Sequence, residues 1–178
     1  MSEANPYSAP DATLDNGQDV LYSPKVFSFN GRIGRMRYLA YGVGVSILLM
    51  IVGGAAMGLA AGAMYAEAGL SVAGFGVMGL IVLASLVVTV MYGKRRFNDL
   101  NRSGWWSILL LLPYVNLLPV IYLVFFPGTH GSNNFGPEPE SNSIGVLILG
   151  WLMPAFFVIG IVAAIAIPQY QSYLAGAQ

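Results

Sequence analysis

The amino-acid sequence predicts an all-α membrane protein, a bundle of about four hydrophobic helices of which the third is interrupted by prolines and is a candidate re-entrant segment. Of the 178 residues, 56% are hydrophobic and only 9% are charged, whereas soluble domains carry about 25% charged residues. The hydrophobic residues also gather into four stretches long enough to cross a bilayer core of about 30 Å as helices. So few charges could not cover the surface of a soluble protein of this size.

The four hydrophobic stretches are residues 38–65, 70–92, 105–126 and 144–167. Tyrosine or tryptophan lies near both ends of the first stretch and near one end of each of the others, as is typical of the membrane–water interface. All eight basic residues fall on one predicted side of the bilayer, which the positive-inside rule makes cytoplasmic. We therefore expect a multi-pass membrane protein with a cytoplasmic N-terminus. The basic residues are Lys25, Arg32, Arg35, Arg37, Lys94, Arg95, Arg96 and Arg102.

Composition also predicts how the chain is divided. Residues 1–26 are rich in Pro, Ser, Asn and Asp and lack the basic and apolar regions of a signal peptide, so we expect a disordered polar tail. We expect residues 27–139 to form a membrane domain, with bounds set by the family resemblance given below, and residues 140–178 to add a further transmembrane helix and a short tail. The absence of cysteine excludes disulfides, thiolate nucleophiles and cysteine-ligated metals.

The third hydrophobic stretch has two interpretations. Pro113 and Pro119 remove backbone donors, and Asn116 places an amide near the middle of the membrane. A kinked helix that crosses the bilayer is the preferred interpretation. The alternative is a re-entrant hairpin that enters and leaves on the cytoplasmic side.

A row of small residues in the first stretch predicts close helix packing. Gly54, Gly58 and Gly62 recur every four residues, which leaves a groove where another helix approaches closely. The sequence does not distinguish a helix of the same chain from one of a second copy.

Three polar motifs bracket the hydrophobic stretches: residues 29–38 (FNGRIGRMRY), 95–106 (RRFNDLNRSGWW) and 128–139 (GTHGSNNFGPEP). In this order, interleaved with apolar helices, they resemble the DUF805 family of small bacterial inner-membrane proteins, over about residues 27–139. The chain departs from the family pattern at Asn98, where relatives commonly have histidine. The resemblance implies a location and an architecture but no defined activity. The residues that carry it are Phe29, Gly31, Arg32, Arg35, Tyr38, Arg95, Arg96, Asp99, Arg102, Ser103, Gly104, Trp105, Trp106, Gly128, Asn134, Phe135, Gly136 and Pro137.

A second resemblance lies at the C-terminus. Residues 160–178 (GIVAAIAIPQYQSYLAGAQ) are similar to the second half of the N-terminal helix of type IV pilins. The pilin processing glycine is replaced by Val146 and the pilin glutamate by Trp151. Pilin-like processing and assembly are therefore not expected.

The sequence contains no catalytic or metal-binding constellation, and we expect neither enzymatic activity nor a cofactor. His130 is the only histidine, and no second ligand lies near it. The leading hypothesis is a non-enzymatic interaction or scaffold protein with a basic surface facing lipid. Its expected partners are anionic headgroups, another copy or another membrane protein, but not nucleic acid.

Two alternative functions stay open. A small transporter or channel would use a polar path that reaches Asn116. A membrane enzyme acting on lipid headgroups would use Arg96, Asp99, Arg102 and Asn134, and would need the second and third motifs on one membrane face.

Overall fold

Helices are the only regular secondary structure in the described part of the chain, which confirms the predicted all-α fold class. The structure is a computed structural model that describes residues 21–64 and 72–176. It contains α1 (Arg35–Met64), α2 (Val72–Asp99), a 3-10 helix (Gly104–Leu111), α3 (Leu117–Phe125) and α4 (Ile144–Gly176). No strand occurs in these residues, and β-type pairing is limited to two isolated bridges.

Three of the helices are long and apolar enough to cross a membrane. The qualifying segments are Arg35–Leu59, Gly74–Asp99 and Ile144–Gly176. Most of their side chains point away from the protein and are apolar. This arrangement is stable only if lipid covers the helices, because apolar area of this size is unfavourable in water.

The third hydrophobic stretch folds as a helical hairpin. The 3-10 helix and α3 are separated by the turn 112–116, which contains Pro113 and in which Tyr114 has a φ of 67°. Pro119 lies in the first turn of α3, where helical N–H groups have no partner within the helix in any case. The segment is therefore not one continuous helix, and its geometry is that of the hairpin alternative. Its path relative to the bilayer stays a prediction.

Both ends of the hairpin lie beside the C-terminal end of α2. At the entrance, a Cβ at Gly104 would collide with the stem of Lys94. Beyond the exit, the backbone N–H of Thr129 donates to the Asp99 carbonyl at 2.9 Å. The hairpin thus returns to the end of the bundle from which it started.

The helix α4 begins at this same end and runs beside α1. Arg37 of α1 donates to the carbonyls of Glu140 and Ser141, which directly precede α4. One turn and a half into α4, a Cβ at Gly150 would lie 2.9 Å from the Met36 carbonyl oxygen. Because the two helices start together, α4 runs parallel to α1 and its C-terminus lies at the opposite end. The pilin resemblance of residues 160–178 stays a prediction.

The predicted glycine row does not contact another helix of the chain where it is described. A Cβ at Gly54 or Gly58 would meet no atom within 4 Å, and the surroundings of Gly62 lie outside the described residues. The neighbouring Gly53 instead faces α2, where a Cβ would lie 2.6 Å from Ile81 Cδ1. Packing of the predicted row against a second copy stays a prediction.

Cysteine labelling in intact membranes checks the hairpin. The chain lacks native cysteine, so Lys25→Cys, Ser132→Cys and Ser172→Cys each introduce a single reactive site at an exposed position. We expect an impermeant maleimide to label positions 25 and 132 from one side of the membrane and position 172 from the other. Labelling of positions 25 and 132 from opposite sides would contradict the hairpin.

Candidate functional site

The three polar motifs meet at the shared end of the helices, where they form a compact layer. We call this layer the polar cap and define it as residues 21–34, 94–104 and 126–142. The first segment pairs with the third through Tyr22, whose N–H donates to the Glu138 carbonyl at 2.9 Å. The second segment connects to the first through the bond from Ile33 N to the Arg95 carbonyl at 3.4 Å. The cap thus joins parts of the chain that are more than 100 residues apart.

A buried carboxylate lies between two arginines at the centre of the cap. Asp99 accepts from Arg32 Nε at 3.2 Å through Oδ1, and from Arg96 Nη1 through Oδ2. The side chains of both arginines are 0% exposed and that of Asp99 is 4% exposed. Removing charges from water is costly unless they are paired and hydrogen-bonded. Asp99 pairs with both arginines, but its single negative charge compensates only one of their two positive charges.

The Nη1 and Nη2 groups of Arg32 donate to backbone carbonyls of the third motif. Its Nη1 donates to the carbonyls of Gly131 at 2.7 Å and Gly136 at 3.1 Å, and its Nη2 donates to the Thr129 carbonyl at 2.5 Å. A guanidinium has five N–H donors in a planar array, so one side chain binds three carbonyls of this loop at once. The glycine-rich third motif is thereby wrapped around Arg32.

Two further arginines bind the segments on either side of that loop. Arg96 donates through Nε to the Leu123 carbonyl at 2.8 Å and through Nη2 to the Phe126 carbonyl, at the end of α3. Arg37 donates to the carbonyls that precede α4, each at 2.8 Å. Carbonyls at a helix end have no partner within the helix. Arg96 supplies such partners at the C-terminal end of α3, whereas the carbonyls bound by Arg37 lie in the loop before α4.

Arg95 holds the first segment of the cap and is less completely bonded. Its Nη1 donates to the carbonyls of Lys25 at 2.8 Å and Val26 at 3.2 Å. In the part of the chain that the structure describes, its Nε and Nη2 are buried without a hydrogen-bond partner. Arg95 is 0% exposed, and none of the ion pairs between described residues includes it.

The second motif ends α2 with a left-handed residue. Asn101 has a φ of 54°, and the next N–H, that of Arg102, donates to the Phe97 carbonyl at 2.9 Å. This is the bonding pattern of a Schellman cap. The third motif binds two further carbonyls at the end of α2. Asn133 Nδ2 donates to the Asn98 carbonyl at 2.9 Å, and the N–H and hydroxyl of Thr129 both donate to the Asp99 carbonyl.

Two motif glycines are explained by close approach. A Cβ at Gly128 would collide with the Asp99 carboxylate, so only glycine lets the third motif pass this close to the buried pair. At Gly31 the φ is +87°, and a Cβ would lie 2.7 Å from the Tyr22 ring. Both reasons concern backbone geometry rather than ligand binding.

The family-motif residues therefore divide into an inner and an outer set. The inner set, which the cap buries, includes Arg32, Arg95, Arg96 and Asp99. Tyr38 packs against both buried hydrophobic clusters of the bundle. The outer set is exposed and comprises Phe29, Arg35, Arg102, Ser103, Trp105, Trp106, Asn134 and Phe135.

Sequence reasoning missed four residues that build the cap. Arg37, Thr129, Asn133 and Glu138 each make a bond between segments or within the loop. Two features of the sequence could have indicated them. The third motif is rich in glycine and so offers mainly backbone carbonyls as acceptors, and the nearby arginines outnumber the nearby acids. The pattern of individual positions gave no hint of which donor meets which carbonyl.

The second and third motifs lie on the same face, as the lipid-headgroup enzyme alternative requires. Asp99 is nevertheless bonded at both oxygens, and Arg96 uses all three nitrogens. Asn134 contacts the second motif only through its N–H, which donates to Asn101 Oδ1 at 3.3 Å. Among the described residues, no group of three His, Asp or Glu side chains is placed to bind a metal.

Comparisons with known proteins agree with the motif resemblance. A family model described as "Protein of unknown function (DUF805)" matches residues 26–137. The chain is 38% identical over 66 residues to the inner membrane protein YhaI of Escherichia coli K12, covering 36% of this chain and 54% of YhaI. It is 44% identical over 46 residues to the inner membrane protein YhaH of the same strain, covering 26% of this chain and 38% of YhaH. The chain thus matches about half or less of the length of these relatives. No solved structure matches.

Removing the central carboxylate should destabilise the protein strongly. Asp99→Asn leaves two buried arginines without a counter-charge, and we expect a loss of about 3–5 kcal/mol, seen as a large drop in the thermal unfolding midpoint in detergent. Glu140→Gln is the matched control, because its carboxylate is 45% exposed and lies 3.5 Å from Arg37. Exposed pairs contribute about 0–1 kcal/mol. Equal midpoints for the two variants would contradict a structural role for Asp99.

Proposed function

This chain belongs to the DUF805 family, and we propose that it is a non-enzymatic interaction protein of the inner membrane whose exposed cations bind anionic lipid headgroups. The observation that supports this most is the use of charge in the polar cap. The buried carboxylate and the buried arginines bind each other and the backbone. The charges left over lie outside, where lipid and partners can reach them.

The buried arginines support a structural role instead of a catalytic one. A general acid or base must reach the reacting group with a free oxygen or proton. Both Asp99 oxygens accept from guanidinium groups, and Gly128 closes over the carboxylate. A substrate would have to displace an arginine to reach it. This arrangement favours a rigid cap over an active centre.

The exposed cations lie around the same cap. Lys25, Arg35 and Arg102 are exposed, and within the described residues none of them is in an ion pair. The two nearby acids are already engaged: Glu138 accepts from Gly131 N at 2.6 Å and Glu140 pairs with Arg37. The outer surface of the cap is therefore basic. Anionic headgroups attract each basic residue by about 1 kcal/mol.

Lipid competition tests the basic surface. The exposed residues Trp105 and Trp106 serve as fluorophores, quenched by brominated phosphatidylglycerol in mixed bilayers with phosphatidylcholine. We expect Lys25→Gln, Arg35→Gln and Arg102→Gln each to lower the preference for the anionic lipid about fivefold or less, and to do so additively. His130→Gln, also exposed, is the uncharged control. If the triple variant keeps the preference of the parent, the basic surface does not bind anionic lipid.

The interaction role also concerns the open glycine face of α1. Gly54 and Gly58 have no neighbour within 4 Å, so a second copy or another membrane protein can approach this face without rearranging the chain. Self-association through it remains part of the proposal.

Size analysis in native membrane particles tests that face. We expect Gly58→Ile to shift the protein from a larger to a smaller species, because the side chain would block close helix approach. Gly160→Ile on α4 is the matched control, since its position is equally open. An unchanged size and partner profile for Gly58→Ile would contradict the interface.

A further inference from the structure

We infer that one cavity beside the polar cap binds the headgroup of a single anionic phospholipid, with Lys94 as the ligand to its phosphate. The inference rests on the proposed function and deepens it, because it replaces general attraction to the basic surface with one defined site. The cavity has a volume of about 710 Å³. All three family motifs line it, together with one face of α2. Its wall includes Phe29, Asn30, Val90, Lys94, Asn98, Ser103, Trp105, Ile108 and Phe135.

Among the described residues that line the cavity, Lys94 is the only charged one, and its stem is held in place. A Cβ at Gly104 would collide with Lys94 Cγ, so the stem runs directly over the glycine backbone. Lys94 is partly buried, and none of the ion pairs in the described residues includes it. A partly desolvated ammonium group without a counter-charge favours a bound anion.

The depth of Lys94 matches the headgroup layer. The membrane-length part of α2 is Gly74–Asp99, 26 residues, which as a helix is about 39 Å long. A bilayer core of about 30 Å leaves about 9 Å of this helix in the interface. Lys94 lies five residues before the end of that segment, so its ammonium group reaches the level of lipid phosphates.

The other walls suit the rest of a lipid. Val90 and Ile108 continue the cavity toward the apolar part of the bundle, and Trp105 is 79% exposed beside it. Such walls favour glycerol and acyl carbons, whereas a free phosphate ion would gain nothing from them. A lipid phosphodiester fills both parts of the cavity.

Asn98 adds a reason to expect a headgroup with hydroxyl groups. Its Nδ2 donates weakly to the Gly31 carbonyl at 3.4 Å, and its Oδ1 is buried without a hydrogen-bond partner in the described residues. Buried acceptors normally have a donor. Phosphatidylglycerol carries two headgroup hydroxyls, which supply a donor that phosphatidylcholine lacks. None of the described residues that line the cavity is acidic, so none of them repels an anionic lipid.

Titration of the full-length protein with phosphatidylglycerol, followed by native mass spectrometry, tests the site. We expect one tightly retained lipid per chain and an apparent affinity at least about tenfold lower for Lys94→Gln, because a charge-assisted bond is lost. Lys25→Gln removes the same charge from an exposed position outside the cavity and should change this affinity about twofold or less. Phosphatidylcholine should be retained less well than phosphatidylglycerol.

A second variant separates geometry from charge. Gly104→Ala keeps every charge but displaces the Lys94 stem, and we expect it to weaken the same single binding event. Equal losses for Lys94→Gln and Lys25→Gln would overturn the cavity site while leaving the basic-surface proposal intact. Displacement of the lipid by inorganic phosphate would also overturn it, since the site would then take phosphate alone. If Lys94→Gln, Lys25→Gln and the triple variant of the exposed cations all keep the parent's preference for the anionic lipid, both proposals are contradicted.

Discussion

The paired carboxylate of Asp99 is the interaction on which the rest of the structure depends. It lies at the last residue of α2 and holds Arg32, which precedes α1, and Arg96 one turn earlier on α2. Those two arginines in turn bind the exit of the hairpin and the whole third motif. One carboxylate therefore fixes where α1 starts relative to the end of α2, and where the chain returns from the hairpin. The cost of burying the charges is offset only while all three side chains are present.

The hairpin explains why the cap needs so many arginines. A continuous helix bonds its own carbonyls, whereas a hairpin followed by a glycine-rich loop leaves many carbonyls without partners near the membrane surface. Water can satisfy such groups only outside the apolar layer. The arginines satisfy them inside the protein, with several carbonyls bound by one guanidinium group. The loop is thereby held without strands or a disulfide in the described residues.

The division of charge between the inside and the outside of the cap has a functional consequence. The positive-inside pattern places eight basic residues at the membrane surface. Four of them are buried, so the basic surface is smaller than the sequence suggests; these four are Arg32, Arg37, Arg95 and Arg96. Lys25, Arg35 and Arg102 remain exposed, and Lys94 lies in a cavity lined by all three motifs. In the proposed function, the exposed cations attract many lipids weakly and the lysine in the cavity retains one.

The sequence by itself determined the class, the family and the three long helices, because hydrophobicity and helix length are local properties that lipid selects directly. The pairing of Arg96 with Asp99 could also be predicted from the sequence, since residues three apart share one helix face. Only the tertiary structure decided the hairpin, because Pro113 and Pro119 are compatible with both a kinked span and a turn. It alone assigned Arg32, Arg37 and Arg95 to backbone carbonyls up to about 100 residues away. A carbonyl has no residue identity, so no sequence pattern reveals which loop an arginine will bind.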